Sequence, residues 1–91
     1  DVLDAIASLL SSHSGIASVR VEGHTDSHGT AEHNHTLSTQ RADAVADYLR
    51  SHGVTQPIST HGFGHTRPLC SETTEACDAQ NRRVEFYVTS N

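Results

Sequence analysis

The sequence predicts an α/β two-layer sandwich, a mixed sheet with its helices on one face. Three observations carry that reading. A short helical pattern is followed by strict apolar alternation. A longer helical pattern then separates two strand-like runs, as in a βαβ unit. A last alternating run closes the chain.

The elements follow in order. Residues 2–10, VLDAIASLL, place Val2, Leu3, Ile6, Leu9 and Leu10 at helical spacing, which predicts one apolar face. Gly15 is the expected C′ residue of that helix. In IASVRVEGHT, Val19 and Val21 alternate with Arg20 and Glu22, the period of a half-buried strand ending near Gly23. DSHGTAEHNHT reads as a loop by composition, with room for a single helical turn near Ala31 to His35. Ser38 is the expected N-cap of the helix in LSTQRADAVADYLRSHG, with Leu37, Ala42, Val45 and Leu49 on one face and Gly53 at its end. A second strand is expected around Ile58 to Gly62, entered after Pro57. A polar loop holding both cysteines comes next, and RRVEFYV is the final strand, with Val84, Phe86 and Val88 on one face. The strands joined by the long helix should be parallel with a right-handed crossover, and the last strand should add antiparallel. No internal repeat or linker interrupts residues 1–91, which read as a single domain.

Composition narrows the partners. Eleven acids face six basic residues, all of them arginine, for a formal charge of −5. Without a basic stripe, nucleic acid is an unpromising partner. No run approaches the ~18 apolar residues that a membrane-spanning helix needs. The chain opens directly in DVLDAIASLL and reads as a piece of a longer protein, so a membrane would be met only through the remainder. Eight histidines are the oddity, and protonating all of them would carry the formal charge from −5 to +3. Cys70 and Cys77 enclose SETTEA, a spacing unsuited to CxxC redox chemistry. It favours a short-loop disulfide, and with it an oxidising compartment, over a pair of free thiols.

Arg41 raises a question. With Ser38 as cap it would occupy the third position of a helix, where the macrodipole disfavours a cation. A helix N-terminus also offers free N–H groups to an anion, and a guanidinium adds a planar fork for a carboxylate. Together they would form a carboxylate receptor. Asp26, in the loop after the first strand, could supply the opposite charge for an ammonium. The bland reading is a surface salt bridge between Asp26 and Arg41, worth little.

The ordered motifs are more specific. GHTD, then Asn34, Leu37, Ser38, Arg41, Ala42, Val45, Tyr48 and Leu49 in an NxxLSxxRAxxVxxYL pattern, then Gly62 and Gly64 in GxG, then NRRVE at 81–85, resemble the OmpA-like peptidoglycan-binding domain. The match covers most of the chain, from about Val19 to Val88. The resemblance implies the OmpA-like fold and non-covalent binding of the diaminopimelate residue of the peptidoglycan stem peptide. It implies that Asp26 meets the ligand's ammonium and Arg41 its carboxylate. Thr25, Asn34 and Arg82 or Arg83 are implied contributors to the same site. It also implies an envelope protein of the periplasm, outer-membrane associated, anchored to the cell wall, without a cofactor and without catalysis. Two departures stand out. His33 occupies a place where the family usually has an aromatic. The family's first strand precedes the first helix, whereas this chain starts in that helix, which would leave a sheet edge open to a homodimer.

Blander readings stand beside these roles. Asn34 could orient a ligand or cap a turn. Arg82 and Arg83 alternate on a strand, so one faces the pocket and the other does not. His24, His28, His33 and His35 invite a metal- or pH-responsive interaction domain as the alternative function. Their H-x3-H-x4-H-x-H spacing in a loop fits no standard zinc pattern. No GxSxG elbow supports a nucleophile.

Overall fold

A computed structural model describes residues 2–90. Along the chain run α1 (Val2–Ser12), β1 (Ile16–Gly23), α2 (Ala31–Ser51), β2 (Ile58–Gly62), α3 (Glu75–Asn81) and β3 (Val84–Ser90). The sheet has the order β2-β1-β3, with β1 parallel to β2 and antiparallel to β3. This is the mixed sheet that the sequence predicts, with α2 as the crossover.

Alternation puts β1 at the centre. Val19 and Val21 are buried against the helices, with Val88 and Phe86 opposite them in register on β3. Ala7 and Leu10 of α1, Ala42 and Leu49 of α2, and Val54 complete the buried cluster. Each fully buried Val or Leu contributes about 1.5–3 kcal/mol, so this small core tolerates little loss.

The apolar face of α1 differs from the expected one. Ile6, Ala7 and Leu10 pack on the core, whereas Val2 and Leu9 are exposed. Adjacent helix residues are about 100° apart, so Leu9 and Leu10 cannot share a narrow face. Gly15 is not a left-handed C′ residue either. Positive φ occurs at Gly29, Gly53 and Gly64 among the described residues, and α1 instead ends in a turn closed by Ile16 N–H donating to His13 O at 3.2 Å. Gly53 does end α2. It has φ 95°, its N–H donates to Arg50 O, and Val54 N–H donates to Leu49 O, a Schellman closure.

The larger correction concerns the start of α2. Thr30, not Ser38, is the N-cap, and its Oγ1 accepts from His33 N–H at 3.1 Å. Residues 26–30 are a loop as read, but from Ala31 on the chain is already the start of a 21-residue helix, where the sequence allowed a single turn. The buried stripe is Asn34, Ser38, Ala42, Ala46 and Leu49, whose first two members are polar. A search for an apolar face starts too late on such a helix. Ser38 is buried because it fastens the helix to the β2 turn, donating to His35 O at 2.9 Å and accepting from Gly64 N–H at 2.8 Å. Gly23 and Gly62, paired across β1 and β2, make room for that approach. A Cβ on Gly23 would lie 2.1 Å from Ser38 O, and one on Gly62 would lie 2.2 Å from Thr39 Oγ1.

The cysteine segment is also more ordered than a loop. Thr74 caps the seven-residue α3, accepting from Cys77 N–H at 3.2 Å, and Cys70 and Cys77 form the expected disulfide. Asn81 closes the same loop, accepting from Leu69 N–H at 2.8 Å and donating to Cys70 O at 3.1 Å.

Candidate functional site

A cavity of about 340 Å³ opens at the carboxyl end of β1, beside the first turns of α2. Thr25, Asp26, His28, Gly29, His33, Asn34, Leu37, Arg41 and Arg82 line it. His33, Leu37 and Arg41 recur every fourth residue of α2, so one stripe of the helix forms its long wall. Five of the six residues singled out in the sequence therefore meet at one place. Arg83 is not among the lining residues.

Each lining group has a local reason for its position. Thr25 is 3% exposed and tied down, its N–H donating to Gly64 O and its Oγ1 to Asp26 O, both at 2.9 Å. Asn34 Nδ2 donates to His28 O at 2.9 Å and lies 3.0 Å from His65 Nδ1. That bond makes Nδ1 the acceptor and puts the proton of a neutral His65 on Nε2. Asn34 thus braces the loop before α2, a role its place in an apparent loop does not reveal.

The charges divide unequally. Asp26 Oδ1 accepts from His28 N–H at 3.0 Å, and Oδ2 accepts from Arg82 Nη1 at 2.9 Å. The Arg82 bond holds the Asp26 carboxyl below its usual range, so it stays ionised. Arg82 Nη2 also donates to Glu75 on α3. His28, in turn, pairs through Nε2 with Asp78 Oδ2 at 2.9 Å, which raises the pKa of its imidazole. Arg41, half-buried on α2, has no hydrogen-bond or ion-pair partner among the described residues. The Asp26–Arg41 salt bridge is therefore not formed, and Asp26 is held by Arg82 instead. Nor does a helix N-terminus lie behind Arg41, which sits near the middle of α2. Its guanidinium alone would have to receive an anion.

Arg83 is turned into another network on the sheet. Its Nε donates to Glu85, and its Nη2 to Arg67 O at 2.9 Å. Glu85 and Glu22 face each other in register, with His24 Nε2 3.5 Å from Glu22 Oε1 and 3.9 Å from Glu85 Oε2. His24 is 1% exposed and stacks on Phe63, and burial lowers its pKa. Ligand atoms of Glu22, His24 and Glu85 come within 4.8 Å of one another, the metal-like grouping found among the described residues. Arg20 and Arg83 already neutralise those two carboxylates, so the cluster is a balanced ionic network. It takes in just one of the four histidines in the H-x3-H-x4-H-x-H run. His33 and His35 stand exposed on α2 rather than in a loop.

The model of the OmpA family matches residues 1–82. The chain belongs to the OmpA family. It is 46% identical over 85 residues to a peptidoglycan-associated lipoprotein of Legionella pneumophila, covering 92% of this chain and 48% of that protein. It is 45% identical over 73 residues to the peptidoglycan-binding protein ArfA of Mycobacterium tuberculosis, covering 79% of this chain and 22% of that one. The crystal structure of the peptidoglycan-associated lipoprotein from Burkholderia pseudomallei superposes with a TM-score of 0.87 at 33% identity, covering 96% of this chain and 74% of that one. The chain spans about half the length of the lipoprotein relative from Legionella. The mixed sheet with its crossover helix is the OmpA-like fold.

Proposed function

We propose that this OmpA-family domain binds peptidoglycan non-covalently, through the diaminopimelate of the stem peptide, and anchors an envelope protein to the cell wall in the periplasm. The observation that carries the reading is the pairing of charges in one cavity. Both line it, Asp26 ionised and Arg41 without a hydrogen-bond or ion-pair partner among the described residues. A zwitterionic amino-acid head presents an ammonium and a carboxylate together, and these two side chains offer one counter-charge to each. Arg41 can hold the carboxylate bidentately, as a planar fork does. Asp26 receives the ammonium, with Thr25 and Asn34 fixing the loop that carries it. Arg82 belongs to the site through Asp26, whereas Arg83 acts on the sheet network beside it. The names of the relatives as peptidoglycan-associated or peptidoglycan-binding proteins support the same ligand class.

The domain is a binding module without a chemical step of its own. Isothermal titration with a stem tripeptide ending in meso-diaminopimelate against one ending in L-lysine, their α-amines both acylated, tests the reading. Both carry a side-chain ammonium, but lysine lacks the second carboxylate. Binding of diaminopimelate with clear preference over lysine is expected. Equal binding, or none of either, would refute the assignment.

A further inference from the structure

We infer that Glu75, outside the cavity lining, sets the affinity of the site for a cationic ligand group by neutralising Arg82. The inference rests on the proposed function, because it concerns the ammonium assigned to Asp26.

The argument is one of charge. Arg82 Nη1 binds Asp26 Oδ2 at 2.9 Å, so those two groups alone form a neutral pair. A neutral pair attracts an ammonium weakly, and the guanidinium repels it at short range. Arg82 Nη2 is simultaneously held by Glu75, on the first turn of α3. The triad Asp26–Arg82–Glu75 therefore carries one net negative charge, and that charge is available to an ammonium. Asp26 can accept it as well, since a carboxylate offers about four lone-pair sites and the protein fills two. Of the other charged groups at the cavity, His28 and Asp78 pair with each other at 2.9 Å, and Arg41 is the group assigned to the ligand's carboxylate. Glu75 is 77% exposed at its side chain and makes no other side-chain hydrogen bond or ion pair among the described residues, so packing does not explain its position. Thr74 as cap and the Cys70–Cys77 disulfide fix α3 where Glu75 can reach Arg82. Glu75 is thus a positioning residue that tunes Arg82 and does not touch the ligand.

The test is isothermal titration of the whole chain with a stem tripeptide ending in meso-diaminopimelate. The control peptide carries 2-aminopimelate in its place and so lacks the distal ammonium. Glu75→Gln should weaken binding of the diaminopimelate peptide about two- to fivefold, the scale of one solvent-exposed ion pair. It should leave the control peptide's binding unchanged. In an Arg82→Gln background nothing holds the exposed Glu75 carboxylate beside the site, so the same substitution should have little effect, which a merely structural role for Glu75 would not produce. Wild-type affinity in Glu75→Gln, or a loss that persists without Arg82, would overturn the inference while leaving the site intact. If the wild-type chain ignores the diaminopimelate peptide, or Asp26→Asn binds it normally, the proposed function itself fails and the inference with it.

Discussion

Asp26 is held by Arg82, through a 2.9 Å bond from Nη1 to Oδ2, and not by Arg41 on the facing helix. One arginine thereby keeps the acid charged while the other stays available. The Asp26 carboxyl is lowered from its ordinary 3.8, chiefly by that bond. A depressed folded pKa contributes stability that is present above the unfolded value and lost as pH falls through the folded one. Arg82→Gln should therefore move the acid limb of ligand binding to higher pH. Titrations from about pH 6 down to about pH 3, a window that includes the lowered wild-type value, would check it, and an acid limb that stays in place would contradict the pairing.

Two histidines should tilt stability with pH in opposite directions. Burial, and then Arg83, lower the pKa of His24 from 6.5, so its contribution is intact above that value and is lost as pH falls towards the folded pKa. The bond to Asp78 raises His28, so its contribution is present below 6.5 and is lost as pH rises through the raised value. His28→Gln removes the acid-side gain and leaves His24 unopposed. Its melting temperature should fall more steeply than that of the wild type between about pH 7 and pH 5. Parallel curves would show that the pair between exposed His28 and buried Asp78 contributes nothing measurable.

Close approach of α2 to the sheet depends on two missing side chains. Gly62→Ala would set a Cβ 2.2 Å from Thr39 Oγ1 and 2.5 Å from Thr39 N, the latter being backbone that must shift. Overpacking of this kind costs about 1–3 kcal/mol, or roughly 4–8 °C of melting temperature per kcal/mol in a small domain. Gly15→Ala is the control, since nothing lies within 4 Å of its Cβ and its φ is not positive. It should be neutral or stabilise slightly. Equal thermal shifts for the two variants would contradict this packing.

How much the sequence reveals follows from this packing. β1 and β3 are legible because alternation has a period of two and Val19, Val21, Val84 and Phe86 mark an apolar core side, whereas β2, with Ile58, Thr60 and Gly62 inward, is placed by the Pro57 that precedes it. The end of α2 is legible from Gly53. Its beginning is not, because Asn34 and Ser38 continue the buried stripe with polar groups that serve the Gly64 turn and the loop before the helix. A carboxylate receptor built on a helix N-terminus disappears with that correction, yet Arg41 still lines the cavity with Asp26. Glu75 and Asp78 were hidden for a similar reason, in a segment whose composition resembles a loop. Thr74 followed by Glu75 is the capping signal that could have disclosed α3. Strand alternation does not decide between Arg82 and Arg83, contrary to the expectation, because Arg82 is the C-cap of α3 and β3 begins only at Val84.

Reduction of the Cys70–Cys77 disulfide should reach the site as well as the fold. A loop this short is worth on the order of 2–3 kcal/mol in the chain-entropy model. Glu75 and Asp78 on α3 hold Arg82 and His28, so loosening α3 should also weaken ligand binding. Melting and titration with and without a thiol reductant would show both effects. Unchanged melting in the reduced protein, with free thiols confirmed by labelling, would contradict the role given to the disulfide.

The central claim is that Arg41 receives the ligand's carboxylate. Arg41→Ala tests it most directly in a pull-down with purified peptidoglycan sacculi. Ala is the better helix former in mid-helix, and Arg41 gives up no hydrogen bond or ion pair among the described residues, so melting should hold within a few degrees. Losing a charged bidentate contact should cost about 2–3 kcal/mol of binding, the lower part of the range for buried pairs because the site is half open. That is roughly a thirtyfold to 150-fold loss of affinity. Lys at position 41 should restore only part of it, since a point charge lacks the planar fork. A folded Arg41→Ala variant absent from the sacculus pellet is the predicted result, and one that sediments with sacculi as the wild type does would contradict the account.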